Sequence, residues 1–440
     1  MGRMTYVKAL MCLLFPSAAL VARAQHPVAG DLKCKLTGRM LMDGGVYLKN
    51  DNQFGNGTEF NDLRLGVKAT YQNWSMKMEV GYVGNKVSIK DAFAAYTSGK
   101  HIIQVGQFYE PFTLDMLCST YDLRFHQSPG IVLALTNGRR MGTSYTYNGK
   151  HYYASGGFFT DSDLGNVKNI SQGYAIDGRL VYRPVNEEGK LLHIGAAVVY
   201  RTPDSALPGD EDENTFIYKS PGVSTIDNRN LIYAKVDHAK YQLKQGVELM
   251  IAHQRFFLQG EYIRTMVKRE QNFTNYTGHG GYVQCSWLLT GRQYGYDEAL
   301  ACPGRPVGRA LELCGRFNIL DMNNEEAGVW GGAQKDFSLG VNYYMNKHIG
   351  MKLAYSWVMP GKHIKEISDK NFSVVAAPFW IYSAISYPFA PGFFSKKVRI
   401  RLSSSFIPSP SFTPSSAILF ITEINCIPTG SLMNFIFGSS

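Results

Sequence analysis

The sequence predicts an all-β fold, a transmembrane antiparallel β-barrel of about sixteen strands with one loop folded inward. Three observations carry this. Many segments alternate apolar and polar residues with a period of two, as strands do when their two faces meet different solvents. An export leader precedes them. After the leader, no apolar run reaches the ~20 residues that a membrane-spanning helix needs.

The leader occupies residues 1–24. Arg3 and Lys8 make a basic start, an apolar run follows, and Ala22-Arg23-Ala24 fits the small-x-small cleavage rule, leaving Gln25 as the new terminus. Cys12 lies within the apolar run without the small-residue setting of a lipid anchor. The barrel is expected over residues 25–377. At 63–71, Leu63, Leu65, Val67, Ala69 and Tyr71 alternate with Arg64, Gly66, Lys68 and Thr70. The same pattern recurs at 76–82, 174–183, 192–201, 339–343 and 349–357. The 25 Phe, 27 Tyr and 44 Gly suit a barrel, in which aromatics belt the two membrane interfaces and glycines serve turns and crowded walls. Tyr145, Tyr147, Tyr152 and Tyr153 read as such belt residues.

Connections come in two sizes. Gln72-Asn73-Trp74, Asn148-Gly149 and Asn346-Lys347-His348 read as hairpin turns, whereas 110–140, 202–228, 290–308 and 320–335 are longer. Short turns at one end and long loops at the other are the asymmetry of bacterial barrels. The loop 110–140 carries Pro111, Phe112, Leu114, Met116, Leu117, Tyr121, Leu123 and Phe125, too apolar for a segment in water. It is expected to pack inside the barrel, with a neighbouring subunit as the other place for it. The loop 202–228, with Asp204, Asp210, Glu211, Asp212 and Glu213, reads as solvated and external.

From 378 to 440 the chain turns rich in Ser, Pro and Phe, and alternation stops. This tail reads either as a disordered extension or as the product of a shifted reading frame that loses the closing strand; the shifted frame is preferred. Pro is poorly tolerated in strands.

The formal charge of +10 loses three cations with the leader and a net three with the tail, leaving +4 for the barrel. Global charge therefore says little, and only the placement of charge matters. The seven cysteines show no paired or metal-binding spacing, so no disulfide framework and no metal site are expected.

Several segments resemble a known family in sequence and in order. Gly38-Arg39-Met40-Leu41-Met42-Asp43, Leu63-Arg64-Leu65-Gly66-Val67-Lys68 and Ile89-Lys90-Asp91-Ala92-Phe93 resemble the opening strands of the phosphate-selective porins O and P. Gly106-Gln107-Phe108-Tyr109-Glu110-Pro111-Phe112 is similar to the segment by which that family enters its constriction loop. Gly246-Val247-Glu248-Leu249, Leu258-Gln259-Gly260-Glu261-Tyr262, Leu311-Glu312-Leu313-Cys314-Gly315-Arg316 and Leu339-Gly340-Val341-Asn342-Tyr343 follow in the family's order. The resemblance spans residues 32–377. It implies a sixteen-stranded, usually trimeric porin in the outer membrane of a Gram-negative bacterium, passing anions such as phosphate or polyphosphate. Two departures stand out. Asn61-Asp62 replaces a pair of arginines common before the Leu-Arg-Leu strand, and Ser439-Ser440 replaces the family's closing aromatic residue.

Passive anion conduction needs fixed positive charge along a narrow wet path, without any one site that binds too tightly for exit. Guanidinium groups suit phosphate because they donate two parallel hydrogen bonds. Alternation places Lys33, Lys35, Arg39, Arg64, Lys68, Lys77, Arg179, Arg183, Arg201, Arg316 and Lys352 on the wet face. Arg124, His126, Arg139 and Arg140 are the candidates for lining the constriction. Asp43, Asp62, Glu79, Asp177, Glu261 and Glu312 share the inward face, so each cation alone reads equally as a balanced lumen residue. As a set they read as anion-attracting.

The expected partners are small anions, outer-membrane lipid and two further copies of the chain. No cofactor is expected, and no nucleic acid, since an exported chain without a basic cluster on one element does not suit it. No catalytic residue stands out: Ser, His and Asp occur without a nucleophile-elbow context, so an enzyme is not expected. The other reading is a weakly selective, structural or adhesive barrel without specific phosphate transport.

Overall fold

The computed structural model describes residues 32–48, 54–84, 86–162, 171–205, 214–227, 229–364 and 371–388, with backbone alone over 383–388. The expected leader and the tail from 389 onward lie outside the described residues. The chain runs through β1 (Lys33–Leu48), β2 (Gly57–Tyr71), β3 (Trp74–Val83), β4 (Lys86–Ser98) and β5 (His101–Phe108). After the helical turns Leu114–Leu117 and Gly130–Leu135 come β6 (Arg140–Asn148), β7 (Tyr152–Thr160), β8 (Tyr174–Glu187) and β9 (Lys190–Arg201). A hairpin of β10 (Phe216–Ser220) and β11 (Ile232–Val236) precedes β12 (Ala239–His253), β13 (Phe256–Arg269) and β14 (Tyr276–Thr290). A second hairpin, β15 (Tyr294–Asp297) and β16 (Cys302–Pro306), precedes β17 (Ala310–Asn324), β18 (Val329–Tyr344) and β19 (Ile349–Pro360). The last strands are β20 (Phe372–Ala376) and β21 (Phe379–Pro388).

Among the described residues, each barrel strand pairs antiparallel with its neighbours, and β1 pairs with β2 on one side and with β20 and β21 on the other, so the sheet closes. β20 and β21 form one strand. Gly45 faces Ala376 and Met42 faces Phe379, so the register passes Pro378 without a shift. That makes sixteen barrel strands, β10–β11 and β15–β16 lying outside the sheet. The barrel expected to end at residue 377 thus extends to Pro388. Pro378 lacks only an N–H; its carbonyl still accepts from the Lys352 N–H at 2.9 Å.

Strand alternation separates two environments. On β9, Leu191, His193, Gly195, Ala197, Val199 and Arg201 are buried inward, while Ile194, Ala196 and Val198 are exposed outward. Outward aromatics gather at the two rims. Trp74 packs on Tyr96 at 4.9 Å and Tyr152 stacks on Tyr182 at 5.1 Å near the short turns. Phe158, Tyr174, Tyr200 and Tyr241 form a chain of contacts near the long loops. Tyr153 leaves the expected belt: it is buried inward, beneath the Arg179 guanidinium at 5.5 Å.

The lumen is largely filled. The loop between β5 and β6 folds inward as expected, burying Leu114, Phe125, Ile131, Val132 and Leu135. Part of the segment 202–228, read as a solvated external loop, also enters: Phe216 and Tyr218 of β10 are buried, with Ile232, Ala234 and Val236 of β11 beyond it, against the core that includes Ile131, Leu320 and Met322. Apolar alternation on those short strands outweighs the acidic stretch before them, whose residues 206–213 lie outside the described ones. The β15–β16 hairpin differs again. Strand order places the link between β14 and β17 at the short-turn end, and it folds inward from there, with Tyr294, Ala301 and Cys302 buried.

Candidate functional site

On the wall of β1 to β4 charge is concentrated and inward side chains are less buried than on β8 and β9: Lys35, Arg39, Lys77 and Glu79 are half-buried and Lys68 is exposed. Cross-strand register sets Lys35 opposite Lys68, and Lys68 opposite Lys77, in one row across three strands. A second row sets Arg39 opposite Arg64. Directly opposed like charges weaken strand pairing, so two such rows on one wall cost stability that neutral residues would have spared. Carboxylates compensate part of the charge. Asp62 lies 2.9 Å from Arg39 and 2.5 Å from Arg64, and Lys77 reaches Glu79 at 3.2 Å and Asp91 at 2.6 Å. Among the described residues, Lys35, Lys68 and Lys90 form no ion pair.

Lys90 and Asp91 both face inward, although they are consecutive. The register shifts between Met78 and Val80, so β4 carries one residue more than β3 opposite it. Such a bulge breaks alternation. It is held by Gln107, whose side-chain amide donates to the carbonyls of Ile89 at 3.0 Å and Lys90 at 2.7 Å. Gly81 leaves room for the Lys90 stem, which would lie 2.5 Å from a side-chain carbon there. Alternation alone therefore missed Lys90.

The inward loop faces this wall with further cations. Arg139 pairs with Asp91 and lies 4.1 Å over the Tyr109 ring. Thr120 ties the loop to Asp62 at 2.9 Å, and Tyr121 stands between Arg39 at 5.7 Å and Arg305 at 4.5 Å. Arg305 comes from the β15–β16 hairpin, whose place inside the barrel carries no signal in the alternation. Asp122 lies 3.5 Å from Arg305. Burial is the main influence on the Asp122 carboxyl, which is held above its ordinary range against the pull of Arg305 and Arg124.

The later expected pathway cations point inward but do not line open lumen. Arg179 and Arg183 are 0% exposed, and they hold the β15–β16 hairpin. Arg179 donates to the carbonyls of Leu300 at 2.8 Å and Ala301 at 2.6 Å, and Arg183 pairs with Glu298 at 2.5 Å. Arg316 donates to Gln127 O at 2.9 Å and Lys352 to Leu123 O at 2.6 Å, both in the inward loop. Arg201 pairs with Glu110 at the loop's start and with Asp161, which also holds Arg140 at 3.0 Å. These side chains anchor other parts of the chain, through backbone carbonyls or carboxylates, a role that alternation cannot distinguish from lining a pore.

The constriction candidates divide in the same way. Arg139 reaches the basic wall. Arg124 pairs with Glu312 at 3.1 Å and lies over the rings of Phe257 and Tyr294, at 4.3 and 4.9 Å. His126 is buried, and its pKa is lowered to about 3, first by burial and then by Arg316 and Lys352, so it carries no charge at neutral pH. Lys33 stands exposed at the start of β1.

Comparison with known proteins agrees with this architecture. Porin O of Pseudomonas aeruginosa is 23% identical over 361 residues, covering 73% of this chain and 82% of that protein. An uncharacterised protein of Caulobacter vibrioides is 28% identical over 349 residues, 74% of this chain and 69% of that one. Among solved structures, the anion-selective porin from Comamonas acidovorans aligns with a TM-score of 0.54 at 11% identity, over 80% of this chain and 100% of its own. The outer membrane channel DcaP of Acinetobacter baumannii gives 0.51 at 12% identity, over 80% and 98%. At these identities the structural likeness speaks for the fold. The family model of phosphate-selective porin O and P matches residues 34–377, and the chain belongs to that family, a porin of the Gram-negative outer membrane.

Proposed function

We propose that this barrel lets small anions, phosphate or polyphosphate among them, diffuse passively across the outer membrane, and that it works as a homotrimer surrounded by outer-membrane lipid. The observation that carries the reading is the pair of like-charge rows, Lys35–Lys68–Lys77 and Arg39–Arg64, on the β1–β4 wall, where Lys68 is exposed and Lys35, Arg39 and Lys77 are half-buried. An anion entering between low-dielectric walls loses part of its hydration, and fixed cations replace it. Asp62, Glu79 and Asp91 orient the cations and temper their hold, so that exit is not stalled.

The family's description supports phosphate as a substrate. Asn61-Asp62, standing where relatives carry two arginines, favours a weaker phosphate preference. A trimer form is described for OmpT of Vibrio cholerae, which shares this fold at 11% identity. Planar-bilayer recording under a potassium chloride gradient tests the proposal. It expects a zero-current potential on the anion side and a chloride current that phosphate reduces with dose. A cation-side potential rejects it.

One observation favours a second reading. The two hairpins and the inward loop fill much of the lumen, which suits a weakly conducting structural or adhesive barrel. Folded protein that inserts and carries no current decides for that reading.

A further inference from the structure

Two inserted segments enter the barrel from opposite ends and meet. The helical turn Leu114–Leu117 of the inward loop packs against β16. Arg124 Nη2 donates to Gly304 O at 2.9 Å. Within this contact lie two thiols. Cys118 Sγ is 3.2 Å from Leu114 O and 3.3 Å from Pro303 O, the carbonyl next to Cys302. The contact with Pro303 O sets the Cys118 side chain beside Cys302, which is near enough to act on its thiol. Cys302 is buried and Cys118 half-buried, and both are unbridged here. By contrast, Cys285 is exposed on the outward face and Cys314 is buried among β17 to β19, beneath Phe125.

We propose that in the assembled protein Cys118 and Cys302 are joined by a disulfide, a covalent lock between the inward loop and the hairpin from the opposite rim. Exported chains pass through compartments where disulfides form and persist. The two residues are far apart in the chain, so no spacing motif announces them. The chemistry is thiol–disulfide exchange with a small-molecule or protein disulfide as oxidant. One cysteine, as thiolate, attacks a donor sulfur, breaking the donor S–S bond, expelling the first donor thiol and leaving a mixed disulfide. The second cysteine loses its proton, attacks the bonded cysteine sulfur and expels the second donor thiol. The pair loses two electrons and two protons, and the donor disulfide is reduced to two thiols.

Burial, and then the neighbouring Cys302, raise the Cys118 thiol well above its ordinary range. Exchange is therefore slow once the segments have docked, and the bond forms during assembly. The lock also sets the narrow passage: Tyr121 and Arg305 each follow their cysteine by three residues and meet at 4.5 Å.

The test uses the full mature chain, refolded in detergent with a glutathione redox couple and shown by circular dichroism to be a β-barrel. Free thiols are blocked with N-ethylmaleimide under denaturing conditions, and the digest is read by mass spectrometry. A peptide linking Cys118 to Cys302, converted to two alkylated peptides when reductant precedes blocking, supports the lock. Folded barrel in which both residues alkylate as fully as Cys285, or in which either is linked to Cys314, overturns it. A second measurement follows channel current. A phosphine reductant is expected to raise current fluctuations at least twofold in the parent protein and to leave a Cys118→Ala/Cys302→Ala protein unchanged. An equal response in both overturns the role of the bond in setting the passage. The mass-spectrometric result does not depend on which ions pass.

Discussion

Lys90 shows how a single side chain is placed by a feature that a period of two cannot reveal. The bulge opposite Met78 and Val80 turns it toward Arg64 and Arg139, where it adds charge that no described carboxylate pairs with. Lys90→Gln should lower the anion-to-cation permeability ratio roughly fivefold at low salt, the value of about 1 kcal/mol for one charge at contact in water. The effect should shrink in molar salt, where screening acts over about 3 Å. Zero-current potentials at two salt concentrations measure this, and a ratio indifferent to the substitution at low salt removes Lys90 from the path.

His126 is a residue-scale case with a pH signature. It faces Arg316 on β17 and Lys352 on β19, both cations, and its pKa in the folded protein is lowered to about 3. An unfolded histidine titrates near 6.5. Between these values the unfolded chain binds the extra proton, so stability falls as pH drops from about 6.5 toward about 3 and is unaffected above that window. Protection of amides in the inward loop, taken relative to the intrinsic exchange rate at each pH, should fall progressively as pH drops across it. His126→Gln should flatten the response; an unchanged acid sensitivity in that variant assigns the effect elsewhere.

At the scale of elements, β2, β8, β9 and β19 were legible because one face of each is apolar toward lipid and the other carries charged and small residues toward the interior, so alternation is uninterrupted. Less legible were elements whose surroundings are other protein. The β10–β11 and β15–β16 hairpins are short, and their apolar residues are buried against inserted loops rather than lipid. The closing strand was misread because Pro378 interrupts it, although Trp380 and Phe379 keep the alternation beyond. Trp380 lies over Gly350, where a side-chain carbon would meet the indole at 2.2 Å.

Gly106 shows the same dependence on close approach. Its φ is +132°, and a side-chain carbon would meet the Ala92 carbonyl at 2.3 Å, where β5 crosses the bulged β4. Gly106→Ala should destabilise the barrel by about 1–3 kcal/mol, read by urea unfolding of refolded protein. A neutral result means that the β4–β5 pairing relaxes at no cost. Removing the β15–β16 hairpin has two consequences. Current should rise because the lumen empties, while Arg179 loses its two carbonyl acceptors and Arg183 loses Glu298, so the barrel should unfold at lower denaturant. Equal current with and without the hairpin contradicts its place in the passage.

For the molecule as a whole, fold class and membrane location were legible in the alternation and the aromatic content, since each reports a solvent rather than a partner. The charged lumen was legible only in part. Lys35, Arg39, Arg64, Lys68 and Lys77 lie together on one wall, but Arg179, Arg316 and Lys352 hold inserted backbone and Arg183 holds the Glu298 carboxylate of the inserted hairpin. Inwardness is a property of one strand, whereas access to water depends on what the rest of the chain places above it. The central claim is that the β1–β4 wall sets ion preference. The most direct measurement is the zero-current potential of the Arg64→Glu/Lys68→Glu protein against the parent under the same potassium chloride gradient. The account predicts a shift from the anion side toward the cation side; an unchanged potential in folded, conducting protein contradicts it.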